Sequence, residues 1–299
     1  MDLVTRLEEL KQERNAVILA HNYQIDEVQA HADFVGDSFE LSRKAAATDA
    51  EVVVFCGVQF MAESAAILSP GKTVLLPEAR AGCPLADTIT PESLREKKAA
   101  YPQAKVVCYV NSSAAVKAES DVCCTSSNAV QVVEALDAEE ILFVPDANLA
   151  DYVAKRTRKK IIPWNGHCIT HYRVTAEDVR KARAARPEAV VVVHPECRPE
   201  VVALADHVAS TSGIIRFAGE TTALEIIVGT EMGILYRLER ECPDKKFFFL
   251  SPGLVCRNMK MTTLEKVVRV LETMSNVVRV PEDTRRQAYA SLARMLEIA

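Results

Sequence analysis

Gly166 to His171 reads GHCITH, a cysteine flanked by histidines that stand four residues apart, and taken alone it suggests zinc. Zinc takes four ligands in a closed site or three and a water in an open one, usually drawn from closely spaced pairs such as C-x-x-C. The chain has no C-x-x-C pair, only the adjacent Cys123 and Cys124. Cys168 has two distant counterparts instead, Cys83 in RAGCPL and Cys256 in GLVCRN, 85 residues before it and 88 after it, each with a glycine one to three residues upstream. Neither AGCPLA nor LVCRNM has histidines to match, so His167 and His171 are expected to be loop residues or supports rather than metal ligands.

More than the cysteines recurs. His21-Asn22-Tyr23, Tyr109-Val110-Asn111 and His194-Pro195-Glu196 each offer two large polar groups at i and i+2, which in a strand point the same way. Ser38, Ser126 and Thr211 each follow the first member of those triplets by 17 residues. The cysteines follow by 62, 59 and 62. Thr90, Thr175 and Thr262 open TPES, TAED and TTLE, helix-capping signals placed 7, 7 and 6 residues after the three cysteines.

The elements that must position these groups are short apolar runs alternating with charged amphipathic segments: AVILAHN, EVVVFCG, KTVLLPE, KVVCYVN, EILFVPD, KKIIPW, AVVVVHP, LEIIVGTE and KKFFFLSP. Near-continuous apolar strands separated by helices predict parallel sheet covered on both faces, an α/β protein. The repeat divides the chain into three αβα units with short parallel sheets, at residues 1–88, 89–173 and 174–260, followed by C-terminal helices at 261–299 that pack back on the units. Ligands of parallel α/β units bind beyond the carboxyl ends of the strands, against helix N-termini. Packing about a pseudo-threefold axis would bring three cysteines, three hydroxyl-capped helices and six polar side chains to one central site.

A threefold set of thiolates suits a four-iron four-sulfur cubane, whose body diagonal is a threefold axis through one iron. Three cysteines would hold three irons and leave the fourth open as a Lewis acid. Helix N-termini favour an anionic substrate, and Glu196, Tyr23, Tyr109 and the histidines are candidates to move protons. Cys197 in HPEC reads as a structural thiol, and SPGKT at 69–73 as a turn, since a phosphate loop would need glycine where Ala66 stands. No G-x-G-x-x-G follows a strand, so a dinucleotide cofactor has no support.

Composition narrows the class. With 49% hydrophobic and 26% charged residues the chain reads as an ordinary globular protein, and a net charge of -5 carries no basic surplus for nucleic acid. The N-terminus lacks the apolar core of a signal peptide and no long apolar run follows, so a cytoplasmic protein without a membrane partner is expected. In that compartment nine cysteines should be reduced, most of them small buried hydrophobes.

The motifs LAHNYQ, GDSFELS, GCPLAD, YVNSSAAVK, TSSNA, FVPDANL, WNGHC, HPEC, ASTSG, GTE and LSPGLVC, in this order, resemble the quinolinate synthase family over essentially the whole length. The resemblance implies a transferase of NAD biosynthesis that condenses iminoaspartate with dihydroxyacetone phosphate to quinolinate, releasing phosphate and water. It implies one 4Fe-4S cluster on Cys83, Cys168 and Cys256 with the fourth iron open to substrate. It places substrate contacts at His21, Ser38, Tyr109, Asn111, Ser126, His194, Glu196 and Thr211, with Tyr23 near the reacting triose. The enzyme that oxidises L-aspartate is the expected source of iminoaspartate and a transient partner. Two other classes fit the cysteines alone: an iron-sulfur hydro-lyase acting on a small hydroxy acid, and an iron or oxygen sensor.

Overall fold

The structure, a computed structural model, describes residues 2–298. Its twelve strands fall into three four-stranded sheets, every pairing parallel. The first holds β1 (Ala16–His21), β2 (Phe34–Gly36), β3 (Val52–Cys56) and β4 (Thr73–Leu75) in the order β2-β1-β3-β4. The second holds β5 (Lys105–Tyr109), β6 (Val122–Cys124), β7 (Glu140–Val144) and β8 (Lys160–Pro163), ordered β6-β5-β7-β8. The third holds β9 (Val190–Val193), β10 (His207–Val208), β11 (Glu225–Gly229) and β12 (Lys246–Phe249), ordered β10-β9-β11-β12. One topology is therefore written three times, with helices over the sheet faces.

The apolar strands are buried on both sides, as parallel sheet requires. In the first sheet Leu19, Val53 and Phe55 pack on one face and Ile18, Ala20 and Val54 on the other. In the third, Val191, Val193 and Ile227 oppose Val192, Ile226 and Val228. Leu7 and Leu10 of the first helix, Leu3–Glu13, share a core with Val267 and Leu271 of the helix Leu264–Thr273, so the chain returns to its first sheet after completing the third. The last helix, Glu282–Ile298, covers the second sheet, where Ser291 donates to the Lys117 carbonyl at 2.9 Å. No helix among the described residues is long and apolar enough to cross a membrane.

Two local expectations are corrected. The helix after the third cysteine is capped by Thr263, whose side chain accepts from the Lys266 N–H, and not by Thr262, which is fully buried. The choice lies between two adjacent threonines, and burial takes the first. The cap then falls 7 residues after Cys256, as Thr90 and Thr175 do after Cys83 and Cys168, so the repeat is more regular than the capping pattern suggested. The second correction concerns Ser38, Ser126 and Thr211, which cap nothing. Asp37 and Ser210 are the caps that accept backbone N–H groups, and Asn128 stands at the third position. Ser38 and Thr211 are the first helical residues and Ser126 lies in the turn before Asn128, which leaves their hydroxyls free of capping duty.

Candidate active site

The three cysteine loops share one backbone design. After Cys83, Cys168 and Cys256 the chain makes a tight turn in which the cysteine carbonyl accepts from the N–H four residues on: Asp87 at 3.1 Å, Tyr172 at 2.8 Å and Lys260 at 3.3 Å. A single 3₁₀ turn follows at Ala86–Thr88, His171–Arg173 and Met259–Met261. Before each cysteine, the carbonyl two residues upstream accepts from the first residue of the helix after the sheet's third strand: Gln59 to Ala81 at 2.8 Å, Ala147 to Gly166 at 2.7 Å, Met232 to Leu254 at 2.9 Å. Gly166 has to be glycine, because a Cβ there would stand 2.5 Å from both the Pro145 carbonyl and Thr88 Oγ1. Loops from different units are tied directly, Asn258 Nδ2 donating to the Gly82 carbonyl at 2.8 Å and Trp164 Nε1 to the Thr88 carbonyl at 3.1 Å.

All three thiols open onto one cavity of about 200 Å³. They are the partly exposed cysteines; the other six, Cys197 among them, are buried, and all nine are unpaired. Burial pushes the Cys83 thiol up to about 12, and Cys168 and Cys256 are also raised by burial. Such thiols stay protonated and inert at neutral pH until a metal replaces the proton. Among the described residues the three sulfurs do not form a set within 4.8 Å of one another, as ligands of one ion would; Cys168, His171 and Glu196 do.

The polar groups converge on the same cavity: His21, Tyr23 and Ser38 from the first unit, Tyr109, Asn111 and Ser126 from the second, His194, Glu196 and Thr211 from the third. Strand alternation is not what aligns the i, i+2 pairs. β1, β5 and β9 end at or before the first member, and the turn beyond is closed by the side chain itself: the Tyr23 N–H donates to His21 Nδ1 at 3.1 Å and the Glu196 N–H to His194 Nδ1 at 3.2 Å. Burial holds both rings down at about 3, with Lys260 adding to the effect at His21, so both are neutral at physiological pH. His194 Nε2 then lies 3.1 Å from Ser126 Oγ in the second unit.

One hydrogen-bond chain crosses the cavity wall. The Tyr23 hydroxyl lies 2.6 Å from Thr230 Oγ1 and 2.8 Å from Thr211 Oγ1; Thr230 Oγ1 lies 2.9 Å from His171 Nε2; His171 Nδ1 lies 2.8 Å from Glu196 Oε2. Burial raises Tyr23 well above the usual phenol range, so at rest it carries its proton. Burial also opposes ionisation of Glu196, yet His171, with His194 and Tyr109 near, holds it at about 2. A phenol proton can therefore pass through Thr230 to His171 Nε2 while Nδ1–H donates to the carboxylate. Glu196 Oε1 and Asn111 Oδ1 are buried acceptors with no partner among the described residues, both in cavity-lining side chains.

Sequence reasoning brought every named residue to this cavity and missed two that complete it. Thr230 stood unread within GTE, and His171 was read as a loop residue or support, whereas it is buried at the centre of the chain of hydrogen bonds. His167 instead stacks on Tyr172, ring centroids 3.9 Å apart.

Three parallel α/β units that bring thiols, neutral histidines and an ionised carboxylate to one small buried cavity define a protein built by repetition around a polar, small-molecule site. Comparison with known proteins gives the family. The description quinolinate synthetase A protein matches residues 5–297. The chain is 59% identical over 293 residues to a quinolinate synthase of Dehalococcoides mccartyi, covering 98% of this chain and 97% of the relative. It is 57% identical to that of Thermodesulfovibrio yellowstonii, with 97% and 96% covered, and 56% identical to that of Methanosarcina barkeri, with 99% and 98% covered. The chain belongs to the quinolinate synthetase A family.

Proposed function

We propose that this protein is a quinolinate synthase, condensing iminoaspartate with dihydroxyacetone phosphate to quinolinate with release of phosphate and water. The observation that carries the reading is the convergence of Cys83, Cys168, Cys256 and the nine polar positions on one cavity in a chain of this family. The thiol set fits a four-iron four-sulfur cluster: three sulfurs on identically turned loops, thiols that burial keeps protonated without metal, and no set of three sulfurs close enough for a single ion. When bound, that cluster supplies one iron without a protein ligand, a Lewis acid for a departing hydroxyl.

The chain's own residues do the rest. Two substrates that are both anions meet helix N-termini at Ser38 and Thr211, whose hydroxyls are free to bind them. Neutral His21 and His194 offer a ring nitrogen that can donate or accept, and Asn111 Oδ1 and Glu196 Oε1 wait for donors such as an enamine N–H or a triose hydroxyl. Tyr23 gives up its proton through Thr230 to His171 when a carbon-bound proton is to be taken, and Glu196 steadies the imidazolium so formed. Tyr109, raised by burial and by the charge on Glu196, stays a hydrogen-bond donor. The protein is placed by this reading in the cytoplasm, receiving iminoaspartate from the enzyme that oxidises L-aspartate.

Anaerobic reconstitution followed by product analysis tests the reading. Quinolinate should form only when dihydroxyacetone phosphate is present. Turnover of a hydroxy acid alone would favour an iron-sulfur hydro-lyase, and a zinc protein without sulfide would favour a single ion on Cys168, His171 and Glu196.

A further inference from the structure

The third strand of each sheet is followed, two residues beyond its end, by a position that heads the next helical turn: Val58 after Cys56, Asp146 after Val144, Glu231 after Gly229. In two of the three units that position is a fully buried carboxylate with both oxygens engaged. Asp146 Oδ1 accepts from the Leu149 N–H at 2.7 Å and Oδ2 from the Cys168 N–H at 3.1 Å. Glu231 Oε2 accepts from the Gly233 N–H at 2.7 Å and from the Lys260 ammonium at 3.1 Å, while Oε1 accepts from the Cys256 N–H at 3.0 Å. Each caps its helical turn with one oxygen and grips the cysteine loop with the other. Val58 heads its helix, Gln59–Leu68, with no side-chain bond, so the Cys83 loop has the backbone strap from Gln59 to Ala81 and no carboxylate.

We propose that Asp146 and Glu231 are positioning residues for the thiol set, holding Cys168 and Cys256 in place before metal arrives, and that Cys83 is the arm without a clamp, last to close on the cluster and first to release. The proposal rests on the reading of the three cysteines as cluster ligands. Its logic is that of groups behind metal ligands generally: orienting a ligand in advance spares the cost of ordering it on binding, and losing such a support typically costs about tenfold or more in metal affinity. The Glu231 clamp reaches further than the other. Lys260 also donates to the Tyr23 carbonyl at 2.7 Å, so Glu231, Lys260 and the Cys256 loop form one unit with the backbone of the first unit's catalytic tyrosine. The Asp146 clamp stays within the second unit.

The test uses Asp146→Asn and Glu231→Gln. An amide has one acceptor oxygen, and it will turn that oxygen to the helix cap, where Glu231 has two donors, leaving its NH₂ against the cysteine N–H. In the full-length apo protein, iodoacetamide labelling of each cysteine is timed by peptide mass spectrometry. Asp146→Asn should speed labelling of Cys168 about tenfold and Glu231→Gln that of Cys256 about tenfold, each leaving the other two pocket thiols within twofold, as loss of one charge-assisted hydrogen bond implies. With reconstituted protein, a ferrous chelator should draw iron from each variant about tenfold faster than from the wild type. During that stripping of the wild type, Cys83 should be the first thiol labelled. Unchanged labelling, or an equal rise at all three cysteines, would overturn the clamps; labelling of Cys168 or Cys256 ahead of Cys83 would overturn the order. Asp146→Ser, which keeps a capping oxygen and loses the second arm, replaces Asp146→Asn if that variant does not fold. A wild type that takes up no iron and sulfide sinks the cluster reading, while the apo labelling still decides the clamps.

Discussion

Thr230→Val is the perturbation that isolates the relay. Valine keeps the shape of threonine in a fully buried position and removes only the hydroxyl, which contacts Tyr23 at 2.6 Å and His171 at 2.9 Å. Losing two buried hydrogen bonds costs stability of about 2 kcal/mol, short of unfolding a domain of ordinary stability. Tyr23 keeps its second contact to Thr211, so its ring stays in place. What disappears is the path from the phenol to His171. Positioned acid–base groups contribute at least about a hundredfold to a rate, or about 2.7 kcal/mol of barrier. The kcat for quinolinate in reconstituted Thr230→Val should therefore fall by about a hundredfold, with iron content unchanged and KM for dihydroxyacetone phosphate within about threefold. A variant that kept kcat within twofold of the wild type would refute the relay.

Other expectations follow from the same coordinates. Gly166→Ala forces a Cβ to 2.5 Å from Pro145 and Thr88, so urea unfolding should show a loss of more than about 2 kcal/mol and the reconstituted protein should hold less iron. Cys197→Ala should keep its full iron complement, since that thiol donates to the Gly229 carbonyl at 3.3 Å away from the ligand set, and should cost about 1–2 kcal/mol in stability. Acid should unfold the apo protein early. His21 and His194 titrate at about 3 when folded and near 6.5 when unfolded, so the unfolded chain takes up protons the folded one refuses. Stability should be flat above about 6.5 and fall below it by about 1.4 kcal/mol per pH unit for each histidine, as read from urea midpoints between pH 7 and 5.

The repeat was legible because it is written in spacing, and spacing survives folding. Cys83, Cys168 and Cys256 announce one another through equal offsets from the strand ends, and the identical strand order of the three sheets follows from the same register. What was misread is local and depends on burial. Thr262 and Thr263 offer the same chemistry, and only packing tells which is sealed and which caps. The hydroxyls at Ser38, Ser126 and Thr211 looked like caps because serine and threonine usually are; the neighbours Asp37 and Ser210 do that work. The relay and the clamps were out of reach for another reason. Tyr23 meets Thr230 across 207 residues, and Asp146 meets Cys168 between two loops, so no periodicity within a strand or helix signals either. A second pass over the repeat could have paired Asp146 with Glu231, which stand 85 residues apart, as did the first two cysteines.

The central claim is that three cysteines from three units hold one iron-sulfur cluster at the site where quinolinate is made. Anaerobic purification with iron, sulfide and zinc analysis, paired with a quinolinate assay, tests it most directly. The account predicts a brown protein with iron and sulfide in equal amounts, quinolinate from iminoaspartate and dihydroxyacetone phosphate, and loss of both metal and product in Cys83→Ser, Cys168→Ser and Cys256→Ser alike. A colourless protein with zinc and no sulfide, or full activity in any one of those variants, would contradict it.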